Sequence, residues 1–349
     1  MQRTARQLVE YGYLRIEKVD KQRTLLLGTG ASDYLSKLFP GAADNHRLVV
    51  KDTYRKAPGI NNAIRRRRNM RVSEAAVFMN ESGMVVSPAQ KPWIANQSVI
   101  PSDRAYYYTS KEMKSGMEWE ERRASASRSC GFLVTPLAYY MVYCMNSKLL
   151  KIGESTERYT RDRIEGLLNQ ITAVAIEGTP RYMESAIILT TSYYTILCRL
   201  GMEKAENRRK GQDRIPVFEI DETFQNYYLL PYTREGSALL RMLVEPNGET
   251  TLRNLAIPVR ERVEQIEVDC DGYSENKEYL FVFFIPNLKR LKRFLGYARR
   301  RSTEKFIIYA FPFQEEGLRQ IKTRNVELVI FALWQVEALY EERKKKGVI

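Results

Sequence analysis

The chain is poor in the residues that carry most metal and nucleophile chemistry. It has 349 residues and one histidine, His46, placed in the polar connection GAADNHRL. Relaxases that hold a metal between paired histidines, His-Glu-x-x-His proteases and two-Cys two-His fingers all need more than one, so those classes are excluded. A Ser-His-Asp triad would have to use His46, and nothing near it in sequence recommends that role. The four cysteines, Cys130, Cys144, Cys198 and Cys270, are widely spaced with no Cys-x-x-Cys pair, which reads as free thiols in a cytoplasmic protein. No apolar run approaches bilayer length, and the opening MQRTARQLVEYG has no apolar signal core, so neither membrane insertion nor secretion is expected.

Positive charge is abundant. Lysine and arginine number 56 against 42 acids, a formal net charge of +14, with 44% hydrophobic and 11% aromatic residues placing the chain among folded globular proteins. The excess is concentrated at RRRRNMR, KRLKR, ARRR and RKKK. A polyanion partner follows, with nucleic acid favoured over a membrane surface.

The N-terminal stretch TARQLVEYGYLRIEKVDKQRTLLLGTGASDYL admits two readings. Gly28-Thr29-Gly30 after an apolar strand suggests a dinucleotide loop, but Asp33 stands where a third small residue is needed. The alternative takes in what precedes it: a short helix with Ala5, Leu8 and Val9 on one face, an alternating strand, a polar turn and a second strand. That is the back half of a winged helix. Residues 2–11 would be the recognition helix, Lys18, Lys21 and Arg23 the tip of the wing, and Gly28 to Ser32 the cap of the next helix. Only about ten residues precede the hairpin, so the expected module is a partial winged helix over residues 1–45.

Residues 60–210 read as an α/β domain. A long helix over GINNAIRRRRNMRVSEAAVFMNESGM is ended by Gly83, and CGFLVT and AYYMVYCM form a hairpin about Pro136, extended by KLLKIG. A helix carrying Ile164, Leu167, Leu168 and Ile171 then leads to the strand AIILTT. The order helix, strand, strand, strand, helix, strand is that of the PD-(D/E)xK nuclease core. Such a nuclease needs acids on adjacent strands to hold its ion. The strand segments 131–135 and 139–145 contain none, so the core is expected to be degenerate and inactive. In residues 214–349, EYLFVFFI, KFIIYAF and VELVIFAL alternate with helices, which predicts a C-terminal parallel sheet covered on both faces. The acidic run VEQIEVDCDGYSE, with Glu264, Glu267, Asp269 and Asp271, reads as a solvated linker in preference to a metal site.

Several segments resemble the replication-relaxation family of winged-helix proteins carried by conjugative and plasmid elements of Gram-positive bacteria. The wing YGYLRIEKVDKQRTLLLGTGASDYL, the helix RRRRNMRVSEAAVFMNESGM, YYYTSKEMK, FEIDETFQNYYLLP and FPFQEEGLRQIKTRNVEL are each similar to a family segment, and together they span most of the chain. Met70 stands where the family helix has a histidine, and Pro92-Trp93 where it has Pro-Asp. Both departures remove groups a metal-dependent nuclease would use.

The expectation is therefore a DNA-binding protein of a mobile element, acting in replication, conjugal transfer or their control without catalysis. Double-stranded DNA is the expected partner, contacted by Arg3, Arg6, Lys18, Lys21, Arg23, Arg65, Arg66, Arg67, Arg68 and Arg71; a homodimer or other proteins of the element are further candidates. No cofactor, metal or catalytic residue is assigned. The alternatives are a metal-dependent nuclease or a relaxase using Tyr106, Tyr107 or Tyr108, and a nucleotide-binding protein at the Gly28 loop.

Overall fold

The computed structural model describes residues 2–19, 22–27, 31, 61–92, 94, 100, 104–115, 127–145, 154–171, 182–191, 193–200, 223–258, 261 and 269–345. The chain forms two compact units, one of residues 1–73 with 87–93, the other of residues 74–86 with 94–349. Ten α-helices and eleven strands lie among the described residues.

In the first unit, helix α1 (Gln2–Glu10) is followed by the antiparallel strands β1 (Leu14–Val19) and β2 (Gln22–Leu27). Gly12 ends α1 at φ 73°, with its own N–H donating to Val9 O at 3.0 Å and Tyr13 N–H to Leu8 O at 2.9 Å. These two bonds satisfy carbonyls that the helix end leaves without partners, and only a residue free to adopt positive φ makes them cheaply. The last pair of the hairpin is Val19 with Gln22.

Helix α2 (Asn61–Glu81) contributes its first part to this unit and its second, from Glu74, to the other. It stops as the sequence predicts: Gly83 sits at φ 83°, and Gly83 N and Met84 N bond to Asn80 O and Met79 O, both at 3.0 Å.

The second unit holds two sheets. In the first, β3 (Tyr106–Thr109), β4 (Gly131–Val134) and β5 (Tyr139–Met145) pair antiparallel, and β6 (Ser185–Thr190) and β7 (Asn226–Pro231) continue it in parallel, in the order β3-β4-β5-β6-β7. The expected hairpin about Pro136 is present, closed by Thr135 N–H on Ala138 O at 2.9 Å. Helix α3 (Ser110–Ser115) follows β3, α4 (Glu154–Ile171) joins β5 to β6, and α5 (Tyr193–Leu200) follows β6. Val85 bridges the outer edge of β3. KLLKIG lies outside the described residues.

Strand alternation divides this sheet cleanly. Tyr108, Phe132, Tyr143, Ile188 and Leu229 face one way, into a core shared with Ile164, Leu168 and Ile171 of α4. The opposite face lies toward α2 and α6 (Arg234–Val244), two helices linked when Ser237 Oγ donates to Glu81 O at 3.2 Å. Helix α7 (Gly248–Ala256) comes next.

The second sheet has the order β11-β10-β9-β8, from β8 (Gly272–Tyr273), β9 (Tyr279–Val282), β10 (Phe306–Ala310) and β11 (Val326–Ile330). Strands β9 to β11 are parallel and β8 is antiparallel, so the expected parallel sheet is a mixed one. Helices α8 (Leu288–Arg300) and α9 (Pro312–Ile321) connect the parallel strands, and α10 (Leu333–Lys345) ends the described chain. The expectation of two equally covered faces needs correction. Phe306, Ile308 and Ala310 are buried, but Ile307, Tyr309 and Val329 are only half-buried. Adjacent strands wound in sequence by crossovers of one hand put both connecting helices on one face, and the ring of Phe294 in α8 meets Phe281 and Phe306 there.

The two sheets share one core. Leu229 N–H donates to Pro286 O at 2.9 Å, and Gln314, fully buried, bonds Phe283 O at 3.0 Å and the Tyr193 hydroxyl at 3.4 Å. Residues on either side of 210–214 are thus held in a single compact unit.

Candidate nucleic-acid interface

The residues expected to meet DNA all belong to the first unit. Arg3 and Arg6 lie three apart on α1, a spacing that puts them on one helix face, and Arg6 is exposed. Lys18 and Arg23 sit in the last rungs of the hairpin, where the register sets them directly opposite each other. Lys21 lies outside the described residues, as do Gly28, Gly30 and His46.

The arginine run falls within α2, where Arg65, Arg66, Arg67 and Arg68 are successive and Arg71 follows one turn later. Successive residues step by about 100° around a helix, so the run distributes charge around it. Arg68 and Arg71 are half-buried. A wholly solvated face does not describe these two positions.

Basic segments of the second unit are partly consumed inside the fold. In KRLKR, Lys289 is buried and its Nζ donates to Phe224 O at 2.9 Å. Arg290 bonds Asp271 at 2.6 Å and lies 5.0 Å from the centre of the Phe281 ring, while Arg293 pairs with Asp269. Arg253 binds Glu249 at 2.7 Å and approaches Asp271 at 3.5 Å. The Asp271 side chain, only 4% exposed, also accepts from Val282 N–H at 2.8 Å. Asp269 and Asp271 therefore anchor cations and do not belong to a solvated linker. Glu264 and Glu267 lie outside the described residues.

The tyrosine triplet is interior. Tyr106, Tyr107 and Tyr108 are at most 4% exposed, and burial pushes the phenols of Tyr107 and Tyr108 well above their ordinary range. Just before β4 and on β5, the strands on which a nuclease of this element order would carry acids, the chain places Cys130 and Cys144. The Cys144 thiol bonds toward Glu74 at 3.7 Å, and its contact with Cys130 together with burial holds it in the protonated form. Glu157, 1% exposed, accepts from Ser127 at 2.7 Å, Tyr143 at 2.8 Å and Arg128 N–H at 2.8 Å, pinning the entry to β4 onto α4. No group of three or more His, Cys, Asp or Glu among the described residues is arranged to hold a metal ion, and no described helix is long and apolar enough to cross a membrane.

One cationic feature was not legible in the sequence. A cleft of about 510 Å³ opens at the N-terminal edge of β10 and β11, lined by Lys305, Arg319, Lys322 and Arg324 with Glu278 and Glu327. Arg319, Lys322 and Arg324 share one stretch, but Lys305 and Glu278 reach the cleft from other parts of the chain.

No family model matches the chain, and no curated protein and no solved structure matches it.

Proposed function

We propose that the chain is a double-stranded DNA-binding protein of a mobile genetic element, related to the replication-relaxation family and acting in replication, transfer or their control without catalysis. The observation that carries the reading is the hairpin register, which pairs Lys18 with Arg23 one rung before the last pair, Val19 with Gln22, in a hairpin that follows a helix bearing Arg3 and Arg6. In a winged helix, the helix reads bases in the major groove while the wing reaches backbone or minor groove. The succession of helix α1 and the hairpin supports this reading, and the net charge of +14 would give long-range attraction to a polyanion.

Apart from the six-residue helix α3 between β3 and β4, the order α2, β3, β4, β5, α4, β6, with two antiparallel pairings followed by a parallel one, is compatible with a PD-(D/E)xK-like ancestry. Thiols just before β4 and on β5 favour a binding role over a nucleolytic one.

The test is fluorescence anisotropy with duplex DNA over a salt series, on the parent and on Lys18→Glu with Arg23→Glu. The parent should bind in low salt and weaken steeply as salt rises, and the variant should lose at least tenfold in affinity. Parent affinity that is flat across the salt series would overturn the reading. A supercoiled plasmid nicked in Mg²⁺ or Mn²⁺ would overturn its non-catalytic part.

A further inference from the structure

Parallel strands commonly bind ligands beyond their C-terminal ends. In the second sheet that edge is closed by aromatic packing: Phe283, Phe284 and Phe311 are 0–1% exposed, and the rings of Phe284 and Phe311 stack at 4.6 Å. The opposite, N-terminal edge carries the 510 Å³ cleft. Its volume suits a ligand, but its walls are charged where a cofactor pocket is mostly apolar.

The cleft is built on a fixed floor. Asn325 donates to Ala298 O at 2.9 Å, Arg301 O at 3.0 Å and Glu304 O at 3.1 Å, and its side-chain oxygen accepts from Thr323 at 2.6 Å. It thereby ties the turn before β11 to the end of α8 and occupies carbonyls there that would otherwise repel an anion. Lys322 Nζ is spent on Val326 O at 2.8 Å, and Arg319 is held by Glu315 at 2.8 Å. The other two cations are less tied down. The Lys305 side chain is 77% exposed and makes a long ion pair with Glu278 at 3.9 Å, and Arg324 is exposed with no ion pair among the described residues.

We propose that this cleft is a phosphate-binding site that takes the sugar-phosphate backbone of a nucleic acid, with Lys305 and Arg324 as the contacting cations and Asn325 as the positioning residue. The site belongs to the second unit and does not require that the α1 hairpin bind DNA. With both in place the chain would hold nucleic acid at two points, and the second would contribute affinity without base preference.

Three full-length proteins test this in duplex-binding titrations over a salt series: the parent, the hairpin variant Lys18→Glu with Arg23→Glu, and the cleft variant Lys305→Ala with Arg324→Ala. Circular dichroism and an unfolding midpoint equal to the parent's establish that the cleft variant is folded, and Lys305→Gln with Arg324→Gln is a second version of it. Loss of two phosphate contacts should make the slope of log affinity against log salt shallower by about 1.8, with equal loss on unrelated duplexes. A folded cleft variant that keeps the parent's slope and affinity overturns the inference, whatever the hairpin variant does. Loss in the cleft variant alone supports the cleft and counts against the hairpin. Inorganic pyrophosphate is the last probe: stabilisation of the parent but not of the cleft variant, with the DNA slope unchanged, would make the ligand a small phosphate and overturn the nucleic-acid assignment.

Discussion

Asn287 donates its side-chain N–H to the side-chain oxygen of Asn226 at 2.8 Å, and its own side-chain oxygen accepts from Arg290 N–H at 3.4 Å. One residue thus starts α8 and fastens it to the first residue of β7, where the two sheets meet. Asn287→Ala should cost about 1–2 kcal/mol, since it removes a helix cap and leaves a partner atom with less to bond. Asn226→Ala keeps the cap and should cost less. Urea unfolding of both variants decides this, and a larger loss from Asn226→Ala would show that the cap is not the main contribution.

The buried charges around Asp271 make a second expectation. Asp271→Asn preserves shape but takes the negative charge from Arg290, whose side chain is 12% exposed, and from Arg253. Removing one partner from a largely buried pair costs about 3 kcal/mol. Asp269→Asn should cost less, about 1 kcal/mol, because its close partner Arg293 is 58% exposed and well screened and its contact with Arg290 is a longer 3.7 Å. Equal destabilisation by the two substitutions, measured by chemical denaturation, would contradict this account.

Two glycines should respond differently to alanine. A Cβ at Gly236 would lie 1.8 Å from Pro231 O, a backbone atom that cannot rotate away, so Gly236→Ala should displace the start of α6 and sharply reduce the folded yield. A Cβ at Gly12 meets nothing within 4 Å, yet φ there is 73°. Gly12→Ala should therefore cost only about 1 kcal/mol, from backbone strain alone. A well-folded Gly236→Ala protein with the parent's thermal midpoint would refute the packing argument.

The sequence was most legible where local chemistry acts alone. Gly83 stopping α2, the Pro136 hairpin and the apolar face of α4 each follow from a few neighbouring residues. Helix α5 was missed because YYTILCRL follows the strand AIILTT and is itself rich in aromatic and β-branched residues, which favour strand. Helix α7 was missed because GETTLRNLA is short and half polar. Long apolar runs misled in another way: Phe283 to Ile285 continue the run of β9 but plug the end of the sheet instead of extending a strand. The cationic cleft and the Asp271 network depend on residues brought together from distant positions, so periodicity carries no trace of them. Among the candidate DNA-contacting residues, sequence named the helix and the hairpin, but the opposition of Lys18 and Arg23 needs the register.

Alkaline pH should expose the sheet face that carries Tyr140 and Tyr228, whose rings lie 6.4 Å apart. Burial, with a smaller contribution from Glu249, pushes the Tyr140 phenol up to about 12. Tyr228 is pushed up further by burial and then by Glu249, to which its hydroxyl donates at 2.8 Å. An unfolded tyrosine ionises near pH 10. Above that value the unfolded chain has released protons that the folded chain still holds, so stability falls as pH rises. The contribution is complete below about pH 10 and is lost as pH climbs through the folded-state values. Denaturant midpoints should hardly change between about pH 7 and pH 9 on account of these groups, then decline from about pH 10. Tyr140→Phe should flatten that decline, because the unfolded chain then has one fewer phenol to ionise. Native tyrosinate absorbance in which every phenol titrates with a midpoint of about pH 10, with stability unchanged, would show that these phenols are not held protonated by the fold.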